Sequence, residues 1–226
     1  MLQQQTIMLT TYLFFRMFVC IQCAAARIVQ EVRRLALQYS NTTHFDTMHV
    51  RRGDFQYKKM HLSAEDMYEN NTKPVIPDGR TVFIATDERN LTFFEPLARH
   101  YHLLFLKNFT HLIPEVNKNT YGMLDQLIAS RGDNFFGAYY STFTGYINRL
   151  RGYYTQQERA EGYEKGVLKS YYYVPPDMRS IAETMRTYHS VRTPFWAQEF
   201  PAGWTNIDAN VDEEEARLAE NVARST

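Results

Sequence analysis

Only two cysteines, Cys20 and Cys23, occur in 226 residues, so no disulfide framework holds this chain together. They form a C-x-x-C, but a structural zinc site needs four ligands and the sequence has no second pair. The pair lies inside a helix-like run, not where a strand opens a helix, so it is read as buried helix cysteine and not as a redox pair. An excess of one charge is missing too. The 25 basic and 25 acidic residues cancel, so no global field draws the chain to nucleic acid or to an anionic membrane. No G-x-G-x-x-G follows an apolar run, which excludes the NAD-type dinucleotide fingerprint, and there are no internal repeats. A clean long hydrophobic run is also absent. The stretch Tyr12 to Val19 is broken by Arg16 and preceded by Gln3-Gln4-Gln5 instead of basic residues, a poor membrane span and a poor secretory leader. It continues without a breaker into Ile28, Val32 and Leu35 at helical spacing. Tyr12 to Tyr39 is therefore expected to form one largely buried helix, with a membrane anchor as the weaker alternative.

What is present points to an ordered globular domain with one good core: 44% of residues are hydrophobic and 15% aromatic. After a polar break at Ser40-Asn41-Thr42-Thr43, the pattern predicts strands near Thr47–Val50, Val82–Thr86, Leu103–Leu106 and Asn134–Tyr139. Thr81 to Thr86 is a continuous apolar-leaning run, as a strand covered on both faces requires. Between the strands, helices are expected from Ser63-Ala64-Glu65-Asp66, over Leu91 to Tyr101, over Tyr121 to Ser130, and from Ser141 through Ile147, Leu150 and Tyr154. Strand and helix alternate, so the fold class is α/β with a Rossmann-like parallel sheet and helices on both faces. The pattern loosens after Ala160, and Asp212-Glu213-Glu214-Glu215 reads as a solvated tail or helix start. The expected organisation is an N-terminal helix over 1–40, a Rossmann-like domain over 41–207 and an acidic tail over 208–226.

Polar chemistry gathers at the strand ends. His49-Val50-Arg51-Arg52-Gly53-Asp54 places two guanidiniums, a carboxylate and an imidazole where a strand meets its loop. Ligands of open α/β sheets bind outside the carboxyl ends of strands, and arginine offers a planar donor fork to phosphate oxygens. The hexapeptide thus suits an anionic ligand such as a nucleotide diphosphate, the alternative being a salt-bridged surface turn. Asp87 ends the second strand; it can accept the donor pair of a guanine edge or simply cap the following helix. Ser141 and Thr142 open a helix, where exposed N–H groups form an anion site or are merely capped. Two R-G-D tripeptides, at 52–54 and 131–133, flank strands and are not read as adhesion loops. Four N-x-S/T sequons, at Asn41, Asn70, Asn90 and Asn108, favour a secretory lumen such as the Golgi or endoplasmic reticulum.

Taken in order, His49-Val50-Arg51-Arg52-Gly53-Asp54-Phe55, Ile84-Ala85-Thr86-Asp87-Glu88 and Ser141-Thr142-Phe143-Thr144 resemble the motifs of the GDP-fucose protein O-fucosyltransferase family. The resemblance runs from about Tyr12 to about Asp208 and fits best over Asp125 to Tyr153. It implies the donor-binding half of a GT-B glycosyltransferase and an inverting transfer of fucose from GDP-fucose to a protein hydroxyl or a glycan. The resemblance further implies that Arg51 grips the β-phosphate as the catalytic cation, that His49 and Asp87 read guanine, and that Ser141, Thr142 and Phe143 hold the diphosphate. Arg52 and Asp54 would organise the loop. No cofactor and no metal are expected, and the absence of a D-x-D motif fits that expectation. The family's N-terminal acceptor half is not represented, since the sequence starts within the helix before the arginine motif. Where some relatives carry an acidic base, this chain reads Gln56-Tyr57-Lys58-Lys59, so no general base is named, and the alternative to an active fucosyltransferase is a truncated or catalytically inactive GDP-sugar-binding module.

Overall fold

A computed structural model describes residues 2–54, 58, 61–139, 141–156 and 169–176. Helix α1 spans Leu2–Ser40, and it is followed by strand β1, Asp46–Val50. A single α-turn, α2 (Ala64–Asp66), passes straight into a π-helix over Met67–Thr72 before β2, Thr81–Thr86. A 3₁₀ turn at Leu91–Phe94 leads into α3 (Glu95–Ala98), then β3 (His102–Phe105). After further 3₁₀ turns come α4 (Tyr121–Ala129), β4 (Asn134–Gly137), α5 (Thr142–Gln156) and β5 (Lys169–Tyr172). The five strands form one sheet in the order β3-β2-β1-β4-β5, and every pairing is parallel.

The sheet is covered on both faces. On one side, Ile21, Ala24, Ile28, Val32 and Ala36 of α1 join Leu124 and Ile128 of α4 and Ile147 of α5 over Phe45, Phe83, Ala85 and Phe135. On the other, Met48, Val50, Val82, Ile84 and Phe136 pack against Leu62, Met67, Tyr68, Phe94 and Leu97. Alternate residues of β2 thus feed opposite cores, Val82 and Ile84 one and Phe83 and Ala85 the other, and β1 is buried throughout. Each large apolar side chain so buried contributes roughly 1.5–3 kcal/mol.

The helix boundaries have local causes. Asn41 adopts φ 52°, the left-handed stop that ends α1. Ser63 caps α2 by accepting the Asp66 N–H at 3.1 Å, as its sequence signature predicts. The segment expected to be helical over Leu91 to Tyr101 divides in two, with Pro96 in the first turn of α3. The cysteine expectation is corrected: Cys20 and Cys23 are both exposed, because the sheet-facing stripe of α1 is Ile21, Ala24, Ala25 and Ile28. Among the described residues no helix is long and apolar enough to cross a membrane. The expected acidic tail over 208–226 lies outside the described residues.

Two polar assemblies, one partly and one largely buried, fasten the amino-terminal edge of the sheet. Arg80 donates to Asp46 Oδ2 at 2.8 Å and to Asp133 Oδ2 at 3.0 Å, while Asp46 Oδ1 accepts from the Asn134 backbone and side chain. Burial opposes the Arg80 charge, but the two aspartates outweigh it and hold its pKa above the ordinary value. Arg151, 1% exposed, donates to the carbonyls of Gly132, Asp133 and Lys169, and so ties α5 to the start of β4 and β5. The 131–133 R-G-D is therefore part of the fold: a side chain at Gly132 would collide with Thr47.

Candidate functional site

The strand order turns back on itself between β1 and β4. In open α/β sheets, the crevice outside the carboxyl ends at such a switch point is the ligand site. The sequence-marked residues converge on this edge. His49 is near the end of β1, Arg51 to Asp54 follow it, Asp87 follows β2, and Ser141 to Thr144 lead from β4 into α5.

One half of the edge is a braced cationic loop. Asp87 accepts the backbone N–H of Arg52 at 2.8 Å and of Gly53 at 2.9 Å, and its Oδ2 lies 3.0 Å from Arg51 Nη1. Both carboxylate oxygens of Asp87 are thereby engaged with the loop. Gly53 permits that approach, since a Cβ there would sit 2.6 Å from Asp87 Oδ2. Arg52 turns away from Arg51: its Nε meets Glu88 Oε2 at 2.9 Å, and its guanidinium lies 3.9 Å from the centre of the Phe93 ring. Glu88 also accepts the Asn90 N–H, and that bond together with Arg52 holds its pKa below the carboxylate range. Asp54 offers its carbonyl, 3.4 Å from Arg51 Nη2. The 52–54 R-G-D is consequently bound into this loop. Gln56, Tyr57 and Lys59 lie outside the described residues.

The other half is the start of α5 seated against β1. His49, only 3% exposed, bonds through Nδ1 with Thr144 Oγ1 at 2.7 Å and stacks on Phe143 at 4.5 Å between ring centres. Burial, helped by the Arg51 charge and opposed by Asp87, pushes the His49 pKa down to about 3, so the imidazole is neutral at physiological pH. Gly137 lets α5 come this close: a side chain there would run into the Thr144 methyl and the Phe135 ring. The first-turn N–H groups of a helix have no intrahelical acceptor, so the Thr142–Thr144 turn presents donors and a partial positive charge to the cleft. Ser141 precedes that turn, half-buried, with Thr142 exposed beside it.

One further group was passed over by the sequence reading. Asp125, on α4, has its Oδ1 buried without a hydrogen-bond partner among the described residues. Desolvation alone raises its pKa to about 8. Gly122, one turn earlier on the same helix face, abuts Phe143: a Cβ built there is 3.7 Å from Phe143 Cε2. An acid set between Leu124 and Leu127, in a short helix with no other charged residue, was the available signal. Among the described residues, no group of three or more His, Cys, Asp or Glu side chains could hold a metal ion.

A five-stranded parallel sheet flanked by helices, with its polar loops at the carboxyl edge, is the Rossmann-like arrangement of the donor-binding half of a GT-B glycosyltransferase. The chain belongs to the GDP-fucose protein O-fucosyltransferase family, whose model matches residues 3–154. That membership supports a fucosyltransferase-type glycosyltransferase. No curated protein matches the chain.

Proposed function

We propose that this edge binds GDP-fucose and supports inverting, metal-independent transfer of the fucosyl group to a hydroxyl of a protein or glycan. The observation that carries the reading is the cationic loop of Arg51, braced by Asp87 at the same carboxyl edge where His49 of β1 holds the start of α5 through Thr144. In the transfer, the acceptor oxygen bonds to the anomeric carbon from the face opposite the diphosphate. The bond from that carbon to the β-phosphate oxygen breaks, GDP leaves with the electron pair, and the hydroxyl proton passes to a base. Arg51 neutralises the charge growing on the departing β-phosphate, and the N–H groups opening α5 share it. Such preorganised donors are typically worth about 100-fold or more in rate each. Metal independence rests on this donor set.

Roles within the site follow from what each group already touches. Asp87 spends its oxygens on the loop, so it acts by aiming Arg51. Arg52, clamped by Glu88 and Phe93, and Asp54 keep the loop's course. His49, neutral and buried, fixes Phe143 and Thr144 as one wall of the base pocket. Ser141 and Thr142 hold phosphate oxygens. The buried, unmatched oxygen of Asp125 is the acceptor that calls for a donor pair, and the Watson–Crick edge of guanine provides an N–H and an amino group side by side. The four sequons support a lumenal setting for the reaction.

Incubating the protein with GDP-fucose and an acceptor hydroxyl in EDTA tests the chemistry. Metal-free binding of GDP-fucose is expected, and any fucosyl transfer should invert the anomeric centre; retention of configuration, or a strict need for a divalent ion, would refute it.

A further inference from the structure

The four sequons are alike in sequence but not in structure, and what separates them is whether the amide nitrogen of the asparagine side chain is already engaged. N-glycosylation attaches sugar to the side-chain nitrogen, Nδ2, and involves the hydroxyl two residues on. At Asn90 the structural work is done by oxygen: Oδ1 accepts the Thr92 N–H at 3.2 Å and the Thr92 hydroxyl at 2.8 Å. At Asn108, Oδ1 accepts the Phe105 N–H at 2.8 Å. Asn41 holds its left-handed turn through the backbone. All three are exposed, and among the described residues none of their Nδ2 atoms has a hydrogen-bond partner. Asn70 is the reverse. Its Nδ2 donates to Asp66 Oδ1 at 2.6 Å within the π-helix. The next residue, Asn71, is 2% exposed and accepts the Val174 N–H. Thr72, the hydroxyl of that sequon, is fully buried, with its Oγ1 3.1 Å from the Tyr101 hydroxyl.

We propose that the chain carries N-linked glycans at Asn41, Asn90 and Asn108 and none at Asn70. The inference rests on the lumenal setting proposed above. The co-reactant is an oligosaccharide on a lipid diphosphate. A bond forms between Nδ2 and the reducing-end anomeric carbon, the bond from that carbon to the diphosphate oxygen breaks, and the lipid diphosphate leaves with the electron pair. The amide nitrogen gives up one proton to a base. At Asn90 and Asn108 the retained carbonyl oxygen keeps its hydrogen bonds, and at Asn41 the backbone keeps the turn, so the modified chain still folds. At Asn70 the sugar would enter a packed π-turn, so chains bearing it do not reach the folded state.

The test has two arms. Full-length protein is recovered folded from eukaryotic cells expressing it, and in parallel is translated into microsomes behind an appended cleavable leader and then selected for the protease-resistant fraction. Each product is treated with a glycan-releasing amidase in ¹⁸O-water, which marks every formerly glycosylated asparagine for mass spectrometry. Marking of Asn41, Asn90 and Asn108 but not Asn70 in both arms is expected. Thr43→Ala, Thr92→Ala and Thr110→Ala should each erase one mark. Comparable marking of Asn70 in the microsomal arm, or none at the other three, overturns the selection argued here. Marking in the microsomal arm alone upholds the selection and overturns the lumenal setting, and with it glycosylation in the cell.

Discussion

Arg51 Nη1 stands 3.0 Å from Asp87 Oδ2, while the same aspartate accepts the N–H groups of the two residues after Arg51. One side chain thus holds both the arginine's loop and its guanidinium. Replacing Asp87 should therefore act through Arg51. Asp87→Asn turns one acceptor into a donor and leaves at least one loop contact unmade, a loss of roughly 1–3 kcal/mol. GDP affinity should fall with little change in the ratio of GDP to ADP affinity, as titration calorimetry would report. A collapse of base preference with loop geometry intact would place Asp87 against the base instead.

Arg51→Ala should weaken GDP more than GMP, because only GDP has the β-phosphate that the proposal pairs with the guanidinium. The differential is expected at roughly 1.5–3 kcal/mol, the range for a hydrogen bond to a charged group. Arg51→Lys should recover only part of it, since a point charge replaces a planar fork. Equal losses for GMP and GDP would move Arg51 away from the β-phosphate.

A buried imidazole and a half-buried carboxyl set opposite pH dependences. His49 has its folded pKa near 3 against an ordinary value of 6.5, so the unfolded chain binds the proton first as pH falls. Its contribution is intact above about pH 6.5 and is lost as pH drops toward 3, with a slope of at most about 1.4 kcal/mol per pH unit. Urea melts between pH 4 and 7 should show this slope shrinking in His49→Gln. An unchanged slope would mean the imidazole titrates normally in the fold.

Asp125 works the other way. Its folded pKa near 8 exceeds the ordinary 3.8, so the folded chain holds a proton that the unfolded chain lacks between those values, and stability falls as pH rises through that window. If guanine donors pair with the carboxylate, GDP binding near pH 7 must expel that proton. Calorimetry in buffers of different ionisation enthalpy should show the release, and Asp125→Asn should abolish it together with the preference for guanine. Binding enthalpies independent of buffer would remove Asp125 from the base pocket.

Gly137→Ala should destabilise the fold and loosen the site together. The added methyl meets Thr144 and Phe135, and overpacking of this kind typically costs about 1–3 kcal/mol. Thermal melts should show the loss, and NMR should show a shifted His49 ring, because Thr144 carries its hydrogen bond. A variant as stable as the parent would mean the α5 start has room to move.

The central sheet was legible because buried parallel strands leave continuous apolar runs, as Thr81–Thr86 does. Its register with the motifs was legible too, since the polar residues at His49, Arg51 and Asp87 begin where those runs end. Strand β5 was not: Lys169–Tyr172 is a half-covered edge strand whose tyrosines show no apolar alternation. The π-turn was equally hidden, being a choice among hydrogen-bond registers that Met67–Thr72 makes only when packed. For Cys20 and Cys23, a helical run could be read, but which stripe of it meets the sheet could not. The burial of Asp125 Oδ1 depends on tertiary packing around α4, which the helix pattern only hints at. That Asp87 braces the loop lies in backbone N–H positions, which no side-chain pattern encodes.

The most direct measurement is calorimetric titration of the full chain with GDP, ADP and UDP in EDTA, repeated with magnesium. GDP should bind at least about tenfold, or 1.4 kcal/mol, more tightly than either competitor, with no gain from the metal. Equal affinity for GDP and ADP, or binding that appears only with magnesium, would contradict the assignment of this edge as a metal-independent guanine-nucleotide donor site.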